Sequence, residues 1–157
     1  MQIGVIGASS CSTLVSNIAE KVGEYIAKHK AVLVCGGMGG IMEAACRGAK
    51  KTGGITIGIL PTDNIHGSNP YVDIKIPTDM GHARNIIVVH SSDAIIAISG
   101  GFGTLSEIAI ALKLNIPVIG LGTWEHPSFN IHKLDDPEKA VKKALELAEK
   151  KRSVFNK

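Results

Sequence analysis

Three times in this chain a short aliphatic run ends in a turn of glycine and serine and passes directly into a helical pattern. Residues 2–6 lead through Gly7, Ala8, Ser9, Ser10, Cys11 and Ser12 to a helix with Leu14, Ile18, Val22 and Ile26 on one face. Residues 31–35 lead through Gly36, Gly37, Met38, Gly39 and Gly40 to a helix from about 41 to 51, which Gly53 and Gly54 end. Residues 93–98 lead through Ser99, Gly100, Gly101, Phe102, Gly103 and Thr104 to a helix carrying Leu105, Ile108, Ala109 and Leu112. A strand that returns by way of a helix lies parallel to its predecessor, with a right-handed crossover. Further strands at 55–60, 72–76 and 117–121 make about six. The pattern predicts an α/β fold: a doubly wound, Rossmann-like, mostly parallel sheet with helices on both faces. Ligands of such sheets bind at the carboxyl ends of the strands where the strand order reverses, so the three turns should converge.

Between these units lie less regular stretches. Residues 61–70 form a polar loop whose length suits a lid or rim. Thr78 or Asp79 is placed to cap a helix carrying Met80, Gly81, His82, Ala83, Arg84 and Asn85, followed by the apolar Ile86, Ile87, Val88 and Val89. Four consecutive apolar residues cover more than one helical face, which predicts burial on several sides, as in a homodimer or higher homo-oligomer. Residues 122–136 read as irregular. Pro137 opens a last helix with Val141, Ala144, Leu145 and Ala148 facing inward.

The chain has 157 residues, enough for one domain over 1–157 with a sizeable core. That core is aliphatic, because hydrophobic residues make up 45% of the chain and aromatics only 4%. Few rings are left for stacking single-stranded nucleic acid. The net charge of +3 resides in the C-terminal stretch: residues 137–157 hold seven Lys or Arg against three Glu. A solvated helix face explains that balance, and no nucleic-acid partner is implied. Cys11, Cys35 and Cys46 form neither a disulfide framework nor a metal-binding pair, and no run reaches the length of a membrane span. These features predict a cytoplasmic protein with no membrane partner.

Glycines let a backbone approach a ligand closely, and the unpaired amides of a helix's first turn favour an anion such as phosphate. The predicted partner is therefore a small nucleotide or other phosphorylated molecule. Its candidate binding residues are Gly100, Gly101, Gly103 and Thr104, with Gly36, Gly37, Gly39 and Gly40, and with Gly7, Ser9 and Ser10. The first turn lacks GxGxxG, and no glycine turn is followed by GKS or GKT, so neither a nicotinamide cofactor nor a P-loop is implied. Thr104 and Glu107 fit two readings. They spell a capping box, or they place a carboxylate one turn below a bound phosphate, beside the attached sugar. Arg84 is either a structural ion pair or a guanidinium that binds phosphate or orients Glu107. His82 is a packing or rim residue, Cys35 a buried thiol near the second turn, and the histidines show no metal-ligand spacing. No metal and no cofactor are expected.

With Arg84 and residues 100–107 in view, the sequence resembles the Lonely guy (LOG) family of nucleoside-5′-monophosphate phosphoribohydrolases. It also resembles their relatives, the molybdenum-cofactor-carrier-like proteins, over most of its length. The LOG signature is PGGxGTxxE with an upstream arginine followed by lysine. Here the glycines, Thr104, Glu107 and Arg84 match, while Ser99 stands at the proline position and Asn85 at the lysine position. The context Gly81, His82, Ala83, Arg84, Asn85 looks more like the carrier branch. The resemblance implies either hydrolysis of an N-glycosidic bond to free base and ribose 5-phosphate, with Glu107 and Arg84 as catalytic residues, or non-catalytic carriage or sensing of a phosphorylated ligand. Relatives are often labelled lysine decarboxylases, but that chemistry needs a Schiff-base lysine and a partner for the pyridine ring, and neither is identifiable here.

Overall fold

A computed structural model describes residues 1–155. Seven strands form one sheet in the order β4-β3-β2-β1-β5-β6-β7, and every neighbouring pair is parallel. In chain order they are β1 (Gln2–Gly7), β2 (Val32–Cys35), β3 (Thr56–Leu60), β4 (Ile74–Pro77), β5 (Ala94–Ile98), β6 (Val118–Leu121) and β7 (Ile131–Leu134). The chain builds outward from β1 to β4, then returns to the other side of β1 and builds outward again. The order thus reverses between β1 and β5, which pair from Ile3 with Ala94 to Gly7 with Ile98.

The helices cover both faces. Helices α1 (Thr13–Lys28), α2 (Ile41–Lys51) and α5 (Pro137–Phe155) pack on one side, where Ala19, Val22, Ile26, Ala45, Val141 and Ala144 meet strand residues such as Val5, Leu33 and Ile96. Helices α3 (Asn85–His90) and α4 (Phe102–Lys113) pack on the other, where Val88, Val89, Ile108 and Ala111 meet Ile6, Val34, Ile95 and Ala97. Adjacent residues such as Val5 and Ile6 point to opposite faces, so continuous aliphatic runs are what a sheet buried on both sides requires. Ser12 caps α1 by accepting from the Val15 amide at 3.4 Å. Gly53, at φ +73°, turns the chain out of α2, as its position in the sequence predicts.

Three expectations need correction. The sheet has seven strands rather than about six, because β7 lies inside the stretch read as irregular. Its four residues include His132 and Lys133, and they qualify as a strand only by pairing with Val118–Leu121. The helix expected from about residue 80 is a 3₁₀ turn, Gly81–Arg84, followed by the six-residue α3. Asp79 and Gly81 both sit at φ +53°, which a helix cannot accommodate, and Thr78 caps nothing helical: its hydroxyl donates to the Leu60 carbonyl at 2.7 Å. Within the chain α3 is buried at Val88 and Val89, whereas Ile86 is 42% exposed. The 61–70 loop is tied down by Asn69, which is buried and donates to the carbonyls of Gly37 and Met38 at 3.2 and 2.9 Å. Among the described residues no helix is long and apolar enough to cross a membrane. Asn156 and Lys157, part of the basic C-terminal stretch, lie outside the described residues.

Candidate functional site

At the carboxyl ends of β1, β2 and β5 the turns enclose a cavity of about 300 Å³. Gly7 and Ser9 come from the first turn, Gly36 from the second, Gly101, Gly103, Thr104 and Glu107 from the third, and Arg84 and Asn85 from the junction before α3. Ala8, Met42 and His82 also line it, none of which the glycine pattern singled out as a ligand contact. Ser10, Gly37, Gly39, Gly40 and Gly100 lie outside the lining.

What surrounds each glycine explains this division. A Cβ on Gly7, Gly36, Gly37, Gly40 or Gly100 would lie less than 3.0 Å from its own protein: from Ile41, Arg84, Leu60, the Ser9 backbone and Thr104 respectively. Those five positions are glycine because the chain packs there. Gly37, Gly40 and Gly100 are constrained twice, since their φ values of +71°, +62° and +108° also disfavour any side chain. A Cβ on Gly101 or Gly103 would meet nothing within 4 Å. Both line the cavity, and the open space above them is where a ligand would approach.

Helix α4 begins at Phe102 with Gly101 as N-cap, and no side chain caps it. Thr104 already lies in its first turn, so the capping box does not form and the first-turn amides point outward without a side-chain acceptor. An anion placed there would take that role, favoured by the helix dipole.

Glu107 follows one turn further, 6% exposed, on the face of α4 turned to the cavity. The guanidinium of Arg84 faces it, with Nη1 3.8 Å from Oε1. Asn85 accepts from Arg84 Nη1 and donates through its amide to Ser106 Oγ at 3.3 Å, while Arg84 Nη2 reaches the Gly36 carbonyl at 3.5 Å. Arg84 Nε is buried without a partner. Burial dominates the electrostatics of the pair: it raises the Glu107 carboxyl to about 7 against the opposing pull of Arg84, and it lowers Arg84 from its ordinary value. The site thus holds a carboxyl group poised between its two protonation states, and a guanidinium with spare donor capacity.

Cys35 is fully buried, accepts from the Gly37 amide at 3.3 Å, and does not line the cavity. Asp79 is exposed and outside the lining. Among the described residues no group of three or more His, Cys, Asp or Glu is arranged to hold a metal ion.

The model of the SLOG cluster4 family matches residues 1–151. The chain belongs to the SLOG cluster4 family. A SLOG cluster4 chain with this site is similar in fold and sequence to the molybdenum cofactor binding protein of Rippkaea orientalis, with a TM-score of 0.87 and 39% identity over 93% of this chain and 96% of that one. It is likewise similar to the Moco carrier protein of Chlamydomonas reinhardtii, with a TM-score of 0.85 and 34% identity over 95% and 98% of the two chains. A cytokinin riboside 5′-monophosphate phosphoribohydrolase of Mycobacterium tuberculosis is 34% identical over 119 residues, covering 69% of this chain. The SLOG cluster4 chain spans 63% of that relative's length. These similarities place the chain in the LOG-like superfamily.

Proposed function

We propose that this protein, as a single Rossmann-like nucleotide-binding domain, binds a nucleoside 5′-monophosphate and hydrolyses its N-glycosidic bond, releasing free base and ribose 5-phosphate. One observation carries the reading: a buried carboxyl of raised pKa, paired with an arginine, lies one turn below an uncapped helix start flanked by open glycines. The α4 amides of Phe102, Gly103 and Thr104 receive the 5′-phosphate, and Arg84 contributes charge to it or holds Glu107 in place. The ribose then sits over Glu107. In its ionised form Glu107 stabilises the oxocarbenium-like sugar as the bond to the base breaks, or draws the proton from the attacking water. Among the described residues Glu107 is the only carboxylate lining the cavity. The departing base therefore takes its proton from water rather than from a second protein acid.

A second reading is favoured by Asn85. Where the LOG pattern has a lysine, this side chain is committed to Arg84 and Ser106 and supplies no charge. The same pocket would then hold a phosphorylated nucleotide or a molybdenum-cofactor-type ligand without cleaving it, as a carrier or sensor. Incubation with a panel of nucleoside 5′-monophosphates, with free base followed by chromatography, separates the two. Base release supports hydrolysis. Ligand-induced thermal stabilisation without release supports carriage.

Gly101→Ala and Gly103→Ala test the phosphate position directly. Neither Cβ meets protein, so both variants should melt within a few degrees of the parent. Affinity for ribose 5-phosphate should nevertheless fall at least ten-fold, as read by calorimetry, because the new methyl occupies the ligand's approach.

We also propose a homodimer or higher homo-oligomer. Four of the eight exposed large hydrophobic side chains among the described residues, Ile74, Ile76, Met80 and Ile86, fall in one thirteen-residue stretch. Ile74 and Ile76 pair in register with Ile57 and Ile59 and so lie on the sheet side that carries α3 and α4, and a second copy of the same surface is the occupant that closes by two-fold symmetry. Sedimentation should show a dimer or larger species, and Ile76→Glu with Ile86→Glu should convert it to monomer. The three cysteines are free, in keeping with a reducing, cytoplasmic setting.

A further inference from the structure

Arg84 and Glu107 are largely buried and of opposite charge, yet they do not touch. Their closest atoms, Nη1 and Oε1, stand 3.8 Å apart, well beyond the length of a charge-assisted hydrogen bond. Among the described residues no hydrogen bond reaches the Glu107 carboxylate, and Arg84 acts on it through charge alone. We propose that Asn85 is a positioning residue: held by Ser106, it draws the Arg84 guanidinium away from Glu107, leaving Glu107 free for the sugar or water and Arg84 for the anion. The catalytic consequence rests on the hydrolytic reading above, while the placement of Arg84 rests on geometry alone.

Two other acceptors occupy the guanidinium. Nη1, the atom nearest Glu107, donates to Asn85 Oδ1, and Nη2 reaches the Gly36 carbonyl at 3.5 Å. A Cβ on Gly36 would collide with Nη2, so the lack of a side chain there is what admits the guanidinium at the end of β2. Asn85 is the first residue of α3 and is buried, and its amide is fixed from both ends. A guanidinium only donates, so the amide oxygen must face Arg84 and the amide nitrogen the other way. There Nδ2 donates to Ser106 Oγ at 3.3 Å, and Ser106 donates in turn to the Gly103 carbonyl at 2.7 Å. A serine bonded to a carbonyl three residues back in its own helix is ordinary. Its second bond, across to α3, is the one that locks the amide. A chain of donors therefore runs from Arg84 through Asn85 and Ser106 to Gly103, above which the ligand approaches.

Releasing that hold has a definite sign. With Asn85 truncated, the strongest acceptor left to the guanidinium is the Glu107 carboxylate, about 1 Å of movement away. A direct pair would favour the ionised carboxylate and tie up one of its oxygens. Asn85→Asp, nearly isosteric, does the opposite. The new carboxylate grips Arg84 more firmly and brings a negative charge toward Glu107, which favours the neutral form. The other titratable groups around Glu107 are the Cys35 thiol at the end of β2 and His82 on the cavity wall, and both are the same in parent and variants.

The test follows the Glu107 carboxyl itself, by NMR of the full chain labelled at the glutamate side-chain carboxyl carbons. Its resonance is the one missing from Glu107→Gln. The parent should titrate at about pH 7. Asn85→Ala should bring the midpoint down to about 6 or below, and Ser106→Ala, at an exposed position, should move it the same way by less. Asn85→Asp should raise it above that of the parent. Opposite signs mark a hold on Arg84, because a residue that only supports the fold would shift both Asn85 variants alike. An unchanged midpoint in all three variants, or a common direction for the two at Asn85, overturns the proposal. Should Asn85→Ala fail to fold, Ser106→Ala and Asn85→Asp carry the same contrast of sign. Base release supplies the catalytic arm: the midpoint of its pH profile should follow the NMR midpoint from variant to variant, and turnover of Asn85→Ala at pH 8 should fall roughly ten-fold or more. Midpoints that move in opposite directions in a protein that releases no base would support the positioning of Arg84 while removing the hydrolytic reading.

Discussion

Replacing Glu107 with glutamine should abolish base release and, in the same protein, remove a stability loss that the parent suffers as pH rises. The catalytic effect follows from chemistry that only an ionised carboxylate performs: glutamine neither balances the charge of an oxocarbenium-like sugar nor accepts the proton of water. A loss of roughly 10²–10⁴-fold in turnover is expected. The parent's rate should rise with pH through about 7, as the ionised form of Glu107 becomes populated. The stability effect follows from linkage. Burial raises the folded carboxyl from its ordinary 4.5 to about 7, so between those values the unfolded chain releases this proton and the folded chain retains it. Stability from this site is complete below about pH 4.5, declines as pH rises, and levels off above about 7. The total is about 3 kcal/mol. Denaturant titrations of both proteins at pH 5 and pH 8 read this directly. The parent should lose more stability than Glu107→Gln over that interval, and equal losses would mean that Glu107 ionises as an ordinary surface carboxyl.

The largest effect on folding is expected far from the cavity, where α1 crosses α2. A Cβ on Gly23 would lie less than 3.0 Å from the Ala45 carbonyl, and one on Gly48 equally close to the Glu20 carbonyl. Each obstacle is backbone, so no rotamer change relieves it and the helices must separate. Gly23→Ala should therefore destabilise by about 2–3 kcal/mol net of the better helix propensity of alanine, lowering Tm by roughly 5–10 °C. Gly48→Ala added to it should cost less than it does alone, because the first substitution has already opened the crossing. Ligand affinity should fall as well. Helix α2 starts directly after Gly40, which lies against the Ser9 backbone, so a displaced α2 moves two of the turns that frame the site.

The two variants show which properties were readable in the order of residues. Strand, turn and helix are local, and the aliphatic runs, the glycine turns and the 3.6-residue periodicity of Ile18, Val22 and Ile26 announce the parallel sheet and the turns that converge at its edge. Arg84 and Glu107 were legible as a pair because the glycine pattern marks the helix on which Glu107 rides. Strand β7 was not legible: four residues with His132 and Lys133 at the centre carry no period, and only the partner β6 makes them a strand. The capping box at Thr104 and Glu107 did not form, since the helix starts three residues earlier than that box requires, at Phe102 with Gly101 as N-cap.

The remainder was decided in three dimensions. Glycines that look alike in the chain divide into those with protein opposite them, such as Gly36 and Gly100, and those with open space, Gly101 and Gly103. What lies opposite a residue belongs to distant segments. The same holds for the poise of Glu107: its spacing from Gly103 is written in the sequence, but its raised pKa comes from burial, which outweighs the opposing pull of Arg84. The sequence by itself determined the elements, their order and the chemical types brought to the sheet edge. The tertiary structure determined distances, desolvation and empty space, because each of these depends on atoms contributed by more than one segment.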